Sequence, residues 1–379
     1  MSISATEDPP AKEEAYPPFP LTLLPDTLAM SCFALLPRSD HASLSLVSKK
    51  YNSVLASQEF YKTRSLLGRT EECLYVCLTT NPNSTPNWFL LHRDATSKQL
   101  IPIPSSPSQP ETFSSFVPLD WGIYVIGGFK DGDVRSSDVS LLDCRTNTWR
   151  KVPSMSVARA TAAAGVVDGK IYVFGGCQEL NSSNWAEVFD PKAQMWETFE
   201  PVSDPSEGDN VMRETLVMDE KVYGVGFWNG SLLCYSPRER EWGRNNTPEE
   251  VNNYYCVIEN VLYGCDEAGN VVWREQEEWE WKRVKGLEAL QKVFSGLNNV
   301  NRPFAARKRV RKLSSFGLNI VVFWVGFRGD IWCAEISLER REEEGEIWGR
   351  IEWSEAVATV YSAFRRAKVE VLYATTVHV

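Results

Sequence analysis

Hydrophobic positions change their spacing twice along this chain. The first twenty residues carry no apolar period. Pro9, Pro10, Pro17, Pro18 and Pro20 block helix and sheet there, and little is available to bury, so residues 1–20 read as a disordered tail. Across residues 21–67 the spacing becomes helical: Leu28, Cys32, Leu35 and Leu36 follow i, i+4, i+7, i+8. Asp26 is placed to cap this first helix and Pro37 to stop it. Asp40 can cap a second short helix carrying Leu44 and Val47, and Ser48 a third carrying Tyr51, Val54 and Leu55. Three helices in about 40 residues cannot bury a self-sufficient core. Such a unit is expected to lean on a partner or a neighbouring domain.

From about residue 73 the period becomes strand-like, and the pattern repeats. The clearest copy runs from Thr161 to Pro201, as TAAAGVVDGKIYVFGG, a loop, then WAEVFDPKAQMWETFEP. Similar copies begin at Ser114, Glu214 and Tyr254, and a more divergent one at Leu313. Tyr124, Tyr172 and Tyr223 are spaced by 48 and 51 residues, and Trp149, Trp196 and Trp242 by 47 and 46. Each copy reads as four short strands with Asp-Gly or Asn-type turns. Four-stranded units at this period predict a β-propeller. Residues 73–105 offer three strands, one short of a blade, while VEVLYATTVHV at the chain's end offers one spare. The economical expectation is that the last strand completes the first blade and leaves no open sheet edge. That makes six blades over residues 73–379.

Two motifs resemble known families. Leu24-Pro25-Asp26 with Leu28, then Leu35-Leu36-Pro37, Leu44-Ser45-Leu46-Val47-Ser48-Lys49 and Tyr51 with Val54-Leu55 resemble the F-box. The run Gly169-Lys170-Ile171-Tyr172-Val173-Phe174-Gly175-Gly176 with Trp196 resembles the kelch repeat, as does Gly122–Gly128 with Trp149. In this order the chain resembles plant F-box/kelch-repeat proteins. The fold that this implies is mainly β: a six-bladed kelch β-propeller preceded by a small three-helix F-box at residues 21–67. The pattern departs from the family at Tyr51, where Trp or Phe is usual, at His41-Ala42-Ser43, where basic residues are usual, and in later repeats that lose the double glycine.

The resemblance implies that Leu24, Pro25, Leu28, Leu35, Pro37, Leu44, Val47 and Val54 face a Skp-type adaptor or pack the helical core behind that face. Through the adaptor the chain would reach cullin and RING subunits, as the non-catalytic substrate receptor of a ubiquitin ligase. The propeller would hold one or more target proteins. Loops on one face of a rigid scaffold are where partners are usually recognised, and Arg and Trp are favoured anchors. These rules select Arg159, Arg213, Trp228, Arg135 and Gln178 as target-binding candidates.

Composition narrows the chemistry. The chain is 43% apolar and 24% charged, with a net charge of −10, which opposes a phosphate-backbone binder, so no nucleic acid is expected. No run of 18 apolar residues occurs, so no membrane span is expected either. The N-terminus lacks the basic and apolar regions of a signal peptide. Nine cysteines without a C-x-x-C pair suit buried thiols in a reducing compartment, cytoplasmic and/or nuclear. The Gly-Gly pairs end strands, with no Gly-Lys-Ser/Thr following, so they do not form a phosphate loop. His41, His92 and His378 lie far apart and accompany no nucleophile motif. No cofactor, no metal and no catalytic residue are expected. The basic run Arg307–Lys312 reads as a solvated loop before a strand or as an import signal, and Glu342–Glu346 as a hairpin turn. A ligase-independent interaction scaffold and a kelch-type oxidase or sugar-active enzyme are the alternative readings.

Overall fold

A computed structural model describes residues 25–79, 85–93, 97–104, 112–130, 132–180, 183–203, 205–227, 231–246, 251–266, 268–276, 278, 280–295, 310–326, 329–359 and 369–379. The chain divides into two compact units, Met1–Glu71 and Glu72–Val379.

The first unit has four helices: α1 (Asp26–Ala34), α2 (Arg38–Val47), α3 (Lys49–Leu55) and α4 (Gln58–Leu66). The expectation of three helices is corrected by α4. Ser57 caps it by accepting from the Phe60 amide, and Phe60 and Arg64 are its buried positions. A helix whose inward face is one Phe and one Arg leaves almost no apolar period to read. The capping expectations hold for Ser48, which accepts from the Tyr51 amide. They fail for Asp26 and Asp40: Pro25 and Pro37 stand at the two N-cap positions, and neither helix has a side-chain cap. Proline suits the start of a helix because its missing N–H would be unsatisfied there anyway.

Among its described residues, the second unit forms six four-stranded antiparallel sheets and one two-stranded ribbon, Phe129–Lys130 with Val134–Arg135. In chain order its strands are β1 (Glu72–Thr79), β2 (Asn87–Arg93), β3 (Lys98–Pro102); β4 (Ser115–Leu119), β5 (Gly122–Ile126), the short β6 (Phe129–Lys130) and β7 (Val134–Arg135), β8 (Val139–Asp143), β9 (Thr148–Val152); and β10 (Ala163–Val167), β11 (Lys170–Phe174), β12 (Ala186–Asp190), β13 (Met195–Thr198). There follow β14 (Met212–Met218), β15 (Lys221–Gly226), β16 (Ser231–Ser236), β17 (Glu241–Asn246); β18 (Val251–Ile258), β19 (Val261–Asp266), β20 (Val271–Arg274), β21 (Lys282–Arg283); helix α5 (Glu288–Ser295); and β22 (Val310–Phe316), β23 (Asn319–Val325), β24 (Asp330–Arg341), β25 (Glu346–Thr359), β26 (Glu370–His378). Blade 1 has the order β26-β1-β2-β3, blade 2 β4-β5-β8-β9, and blades 3 to 6 run in simple sequence order. The first strands touch in the cycle β4, β10, β14, β18, β22, β26 and back to β4, which makes a closed ring with those strands innermost.

Between a first and second strand the turn is tight and left-handed. Asp168-Gly169, Asp219-Glu220 and Glu259-Asn260 all have positive φ at both residues, the geometry whose twist matches a right-handed hairpin. The apolar cores lie between blades. One joins Tyr124 and Leu141 of blade 2 to Ile171 and Phe189 of blade 3, and another joins Val321 and Phe323 of blade 6 to Leu74 and Val76 of blade 1.

The repeated aromatics have interblade tasks. Trp149 Nε1 donates to Pro104 O at 2.7 Å, Trp196 Nε1 to Pro153 O at 2.8 Å and Trp242 Nε1 to Glu200 O at 3.0 Å. Each outer-strand Trp thus ties its blade to the segment that leaves the blade before. The second-strand tyrosines reach the blade after: Tyr124 packs on Phe189, Tyr172 on Tyr235, and the Tyr223 hydroxyl accepts from Gln276 Nε2.

The double glycines let a loop touch the linker into the next blade. Gly127 has φ +59°, and a Cβ there would lie 2.4 Å from Arg159 O; at Gly176 (φ +72°) it would lie 2.5 Å from Ala160 O. In their place run the hydrogen bonds Gly128 N to Arg159 O and Gly176 N to Asn210 O, at 2.8 and 2.7 Å.

Arg159 is the polar pin of this linker and is fully buried (0% exposed). Its Nη1 donates to Gly175 O and Trp185 O, both at 2.8 Å, its Nη2 to Glu187 Oε2 at 2.8 Å and to Asn184 O. Glu187 Oε1 in turn accepts from the Ser156 amide at 2.8 Å. Removing one partner of such a pair strands a buried charge. Arg159→Met should therefore destabilise the propeller by about 3–5 kcal/mol, read as a fall in the urea midpoint. Arg159→Met with Glu187→Met should recover only part of this, because carbonyls such as Gly175 O lose the guanidinium donor and the Ser156 amide loses its acceptor. Full recovery would mean that the carbonyls find other donors.

Candidate functional site

In the helical unit, a small core of Ala29, Phe33, Ala34, Tyr51, Leu55 and Phe60 is buried. Phe33 and Tyr51 meet edge to face with centroids 4.7 Å apart. Arg64 stitches α4 to the turn between α1 and α2. Its Nη1 donates to Leu36 O at 2.6 Å and Ala34 O at 3.2 Å, and its Nη2 to Glu71 Oε1 at 2.7 Å. The same oxygen accepts from the Arg38 amide at 2.8 Å. His41 Nε2 lies 3.3 Å from Arg64 Nη1, so its unprotonated form is the one that fits.

Helix α1 is apolar on two sides. Ala29 and Phe33 point in, while Leu28, Cys32 and Leu35 are exposed, Leu28 by 54% and Leu35 by 52%. Val47 is 63% and Leu46 86% exposed at the end of α2. Of the expected adaptor-facing residues, Pro25, Leu28, Leu35, Pro37 and Val47 are thus on the surface, and Leu44 and Val54 are half-buried against the core. Leu24 lies outside the described residues. Leu66 (88% exposed) and Leu67 were not foreseen, since α4 was not foreseen. Leu46 could have been selected from the run Leu44–Val47, where one helical turn carries three large apolar residues.

In the propeller unit, the inner strands enclose a cavity of about 1080 Å³. Its wall is built from residues along the inner strands, among them Ser115, Arg213, Arg311 and Tyr373, and from loops after second strands, such as Phe129 and Phe227. Pro118, Val166 and Val217, near the far ends of their inner strands, line it too, so the cavity opens among the loops and runs down the channel. Deeper, Lys312 Nζ meets Glu214 Oε1 at 2.7 Å and Oε2 at 2.8 Å. This ion pair bridges blades 4 and 6, skipping blade 5. The side chains are only 6% and 14% exposed. Tyr373 lies beneath the Lys312 ammonium and stacks on Phe116 at 4.9 Å.

The target-binding candidates separate. Arg213 lines the cavity, beside Tyr255, whose phenol is raised by burial and partly lowered again by the Arg213 charge. Arg135 is half-buried, donating from Nε to Gly176 O at 3.1 Å and lying over the Phe129 ring. Gln178 is exposed in the loop after β11. Trp228 lies outside the described residues. Arg159 is corrected: its guanidinium is spent on internal partners and presents nothing to a target. The basic run is corrected in part, since Val310–Lys312 belong to β22 and Lys312 is buried; Arg307–Arg309 lie outside the described residues. Phe113, Phe227, Tyr254 and Arg311 of the cavity wall were missed. They come from inner strands, from the segment before one and from a loop after a second strand, and their convergence on one cavity is visible only once the ring is closed.

Burial and the neighbouring Arg64 charge pull His41 from 6.5 down to about 4. The unfolded chain therefore binds a proton there that the folded unit refuses. Helical-unit stability should fall as pH drops from about 6.5 to about 4 and change little with His41 outside that window. Thermal melts of wild type and His41→Gln across this range check it: the variant should lose that part of the slope.

Comparison with known proteins agrees with this architecture. The family described as FKB95, Kelch-repeats domain, matches residues 76–358, and the F-box domain matches residues 21–63. F-box/kelch-repeat protein At4g39550 of Arabidopsis thaliana is 38% identical, covering 93% of this chain and 92% of that protein. F-box/kelch-repeat protein At4g39590 of the same plant is 37% identical over the same shares, and At4g19870 is 36% identical over 90% of this chain and 89% of that protein. With a kelch match over most of its length and relatives this similar from end to end, the chain belongs to the F-box/kelch-repeat family, proteins of the substrate-adaptor type.

Proposed function

We propose that this protein is the substrate-recognition subunit of an SCF-type (Skp–cullin–F-box) ubiquitin ligase. The observation that carries the reading is the outer apolar face of the helical unit. Leu28, Leu35, Leu46 and Val47 are each more than half exposed, on a unit whose own core is already filled by other residues. Exposed apolar groups gathered on a small unit mark a protein–protein contact, and burying a leucine contributes about 1.5–3 kcal/mol. A Skp-type adaptor is the partner, reached through Leu24, Pro25, Leu28, Leu35, Pro37 and Val47, with Leu44 and Val54 holding the face from behind. Cullin and RING subunits follow through that adaptor.

The propeller binds the target at its loop-bearing face, where Arg213, Arg135 and Gln178 stand. The chain itself is non-catalytic. It accelerates ubiquitin transfer by tethering, which raises the local concentration of target lysines near the charged enzyme. We place it in the cytosol or nucleus, where its nine free thiols would stay reduced.

Full-length Leu35→Asp with Val47→Asp should keep its helical signal, since surface substitutions rarely move stability by more than about 0.5 kcal/mol. Its co-purification with a Skp-type adaptor should drop at least about tenfold, in line with two lost apolar contacts. Undiminished capture by the double variant would refute adaptor docking through this face.

A further inference from the structure

We propose that the central chamber lined by the inner strands binds a small organic acid, a carboxylate carried on an apolar body. This goes beyond adaptor docking and stands whether or not the helical unit meets an adaptor.

Size is the first argument. A chamber of about 1080 Å³ is slightly larger than the range of about 300 to 1,000 Å³ usual for small-molecule sites. Charge is the second. Three cations line the chamber, and Lys312 is neutralised by Glu214. Among the described residues, neither Arg213 nor Arg311 has a carboxylate within ion-pair distance, and the Nε of each has no hydrogen-bond partner, although Arg213 also hydrogen-bonds the Tyr255 side chain. Guanidinium is the side chain best shaped to take a carboxylate through two parallel N–H donors. The wall's own carboxylates do not answer it: Glu214 is committed to Lys312, Glu370 has a partner of its own, and Asp133 is exposed.

The wall chemistry supplies the third argument. Phe113, Phe227, Tyr254 and Tyr373 give the chamber aromatic sides that an inorganic anion could not use. Phe113 sits at φ +58° and is 56% exposed, a costly conformation for a bulky residue. It is held there by the Thr161 amide, which donates to Phe113 O at 2.9 Å. The fold thus keeps a strained aromatic at the mouth instead of tucking it into a core.

The test is saturation-transfer NMR on the full chain with 3-phenylpropanoate and with hexanoate, each against its neutral amide, and with inorganic phosphate as competitor. Both acids should bind at least about tenfold more tightly than their amides, a ratio set by the guanidinium contacts. Phosphate should displace neither at equal concentration. Arg213→Met with Arg311→Met should erase the acid–amide difference while leaving the circular dichroism spectrum unchanged. The acid–amide comparison on the wild-type chain needs no variant, so a misfolded variant does not remove the test. Equal binding of acid and amide overturns the proposal. So does displacement by phosphate, which would reveal a bare anion site, and so does acid binding that survives the double substitution. Loss of target capture in the double variant, with no acid bound by the wild type, would assign the chamber to a protein segment instead.

Discussion

The pairing of β26 with β1 is the contact on which the propeller rests. It runs from Glu72 opposite His378 to Thr79 opposite Glu370, with one bulge between Cys77 and Leu78. Through it the last strand of the chain becomes the innermost strand of the first blade. Ser314 Oγ donates to Ala374 O and Thr376 Oγ1 to Ser315 O, which hold β26 against blade 6 as well. Without this strand, β1 would present an open edge although seven of its eight residues are buried, and open edges invite foreign pairing. The ring would also lose one wall of its central chamber, since Glu370 to Tyr373 line it.

Packing of blade on blade explains why charges can be buried within the propeller. Arg159 and Glu187 satisfy each other and the ends of neighbouring loops, and Lys312 and Glu214 span two blades that share no strand pairing. A buried pair of this kind contributes little net stability compared with apolar packing, but it admits few geometries. The interblade cores provide the driving force. The linker hydrogen bonds and ion pairs select the angle at which each blade meets the next.

The helical unit solves a different problem. Its inner face is filled by Phe33, Tyr51 and Phe60, and the Arg64 guanidinium closes the far side by taking two carbonyls and Glu71. That leaves Leu28, Leu35 and Val47 with no role in the unit's own core. Apolar residues in excess of what the unit can bury are the physical form of a docking surface. The same excess makes α1 hard to read by period alone, because both its faces are apolar.

The sequence by itself determined the repeat, the blade count and the family. Strand alternation, Asp-Gly turns, paired glycines and evenly spaced Tyr and Trp are local features, each dictated by backbone geometry within a few residues. The F-box was legible for the same reason, as a compact motif, but which of its leucines point outward was left open. What only the tertiary structure decided depends on residues far apart in the chain. Arg159 looked like a loop anchor until the fold brought Glu187 and three carbonyls to it. Lys312 looked like part of a solvated basic run until Glu214, 98 residues away, was placed against it. The chamber with Arg213 and Arg311, which have no carboxylate partner among the described residues, exists only because six strands, drawn from the whole length of the propeller, meet around one axis. No local pattern records which side chains will share that space.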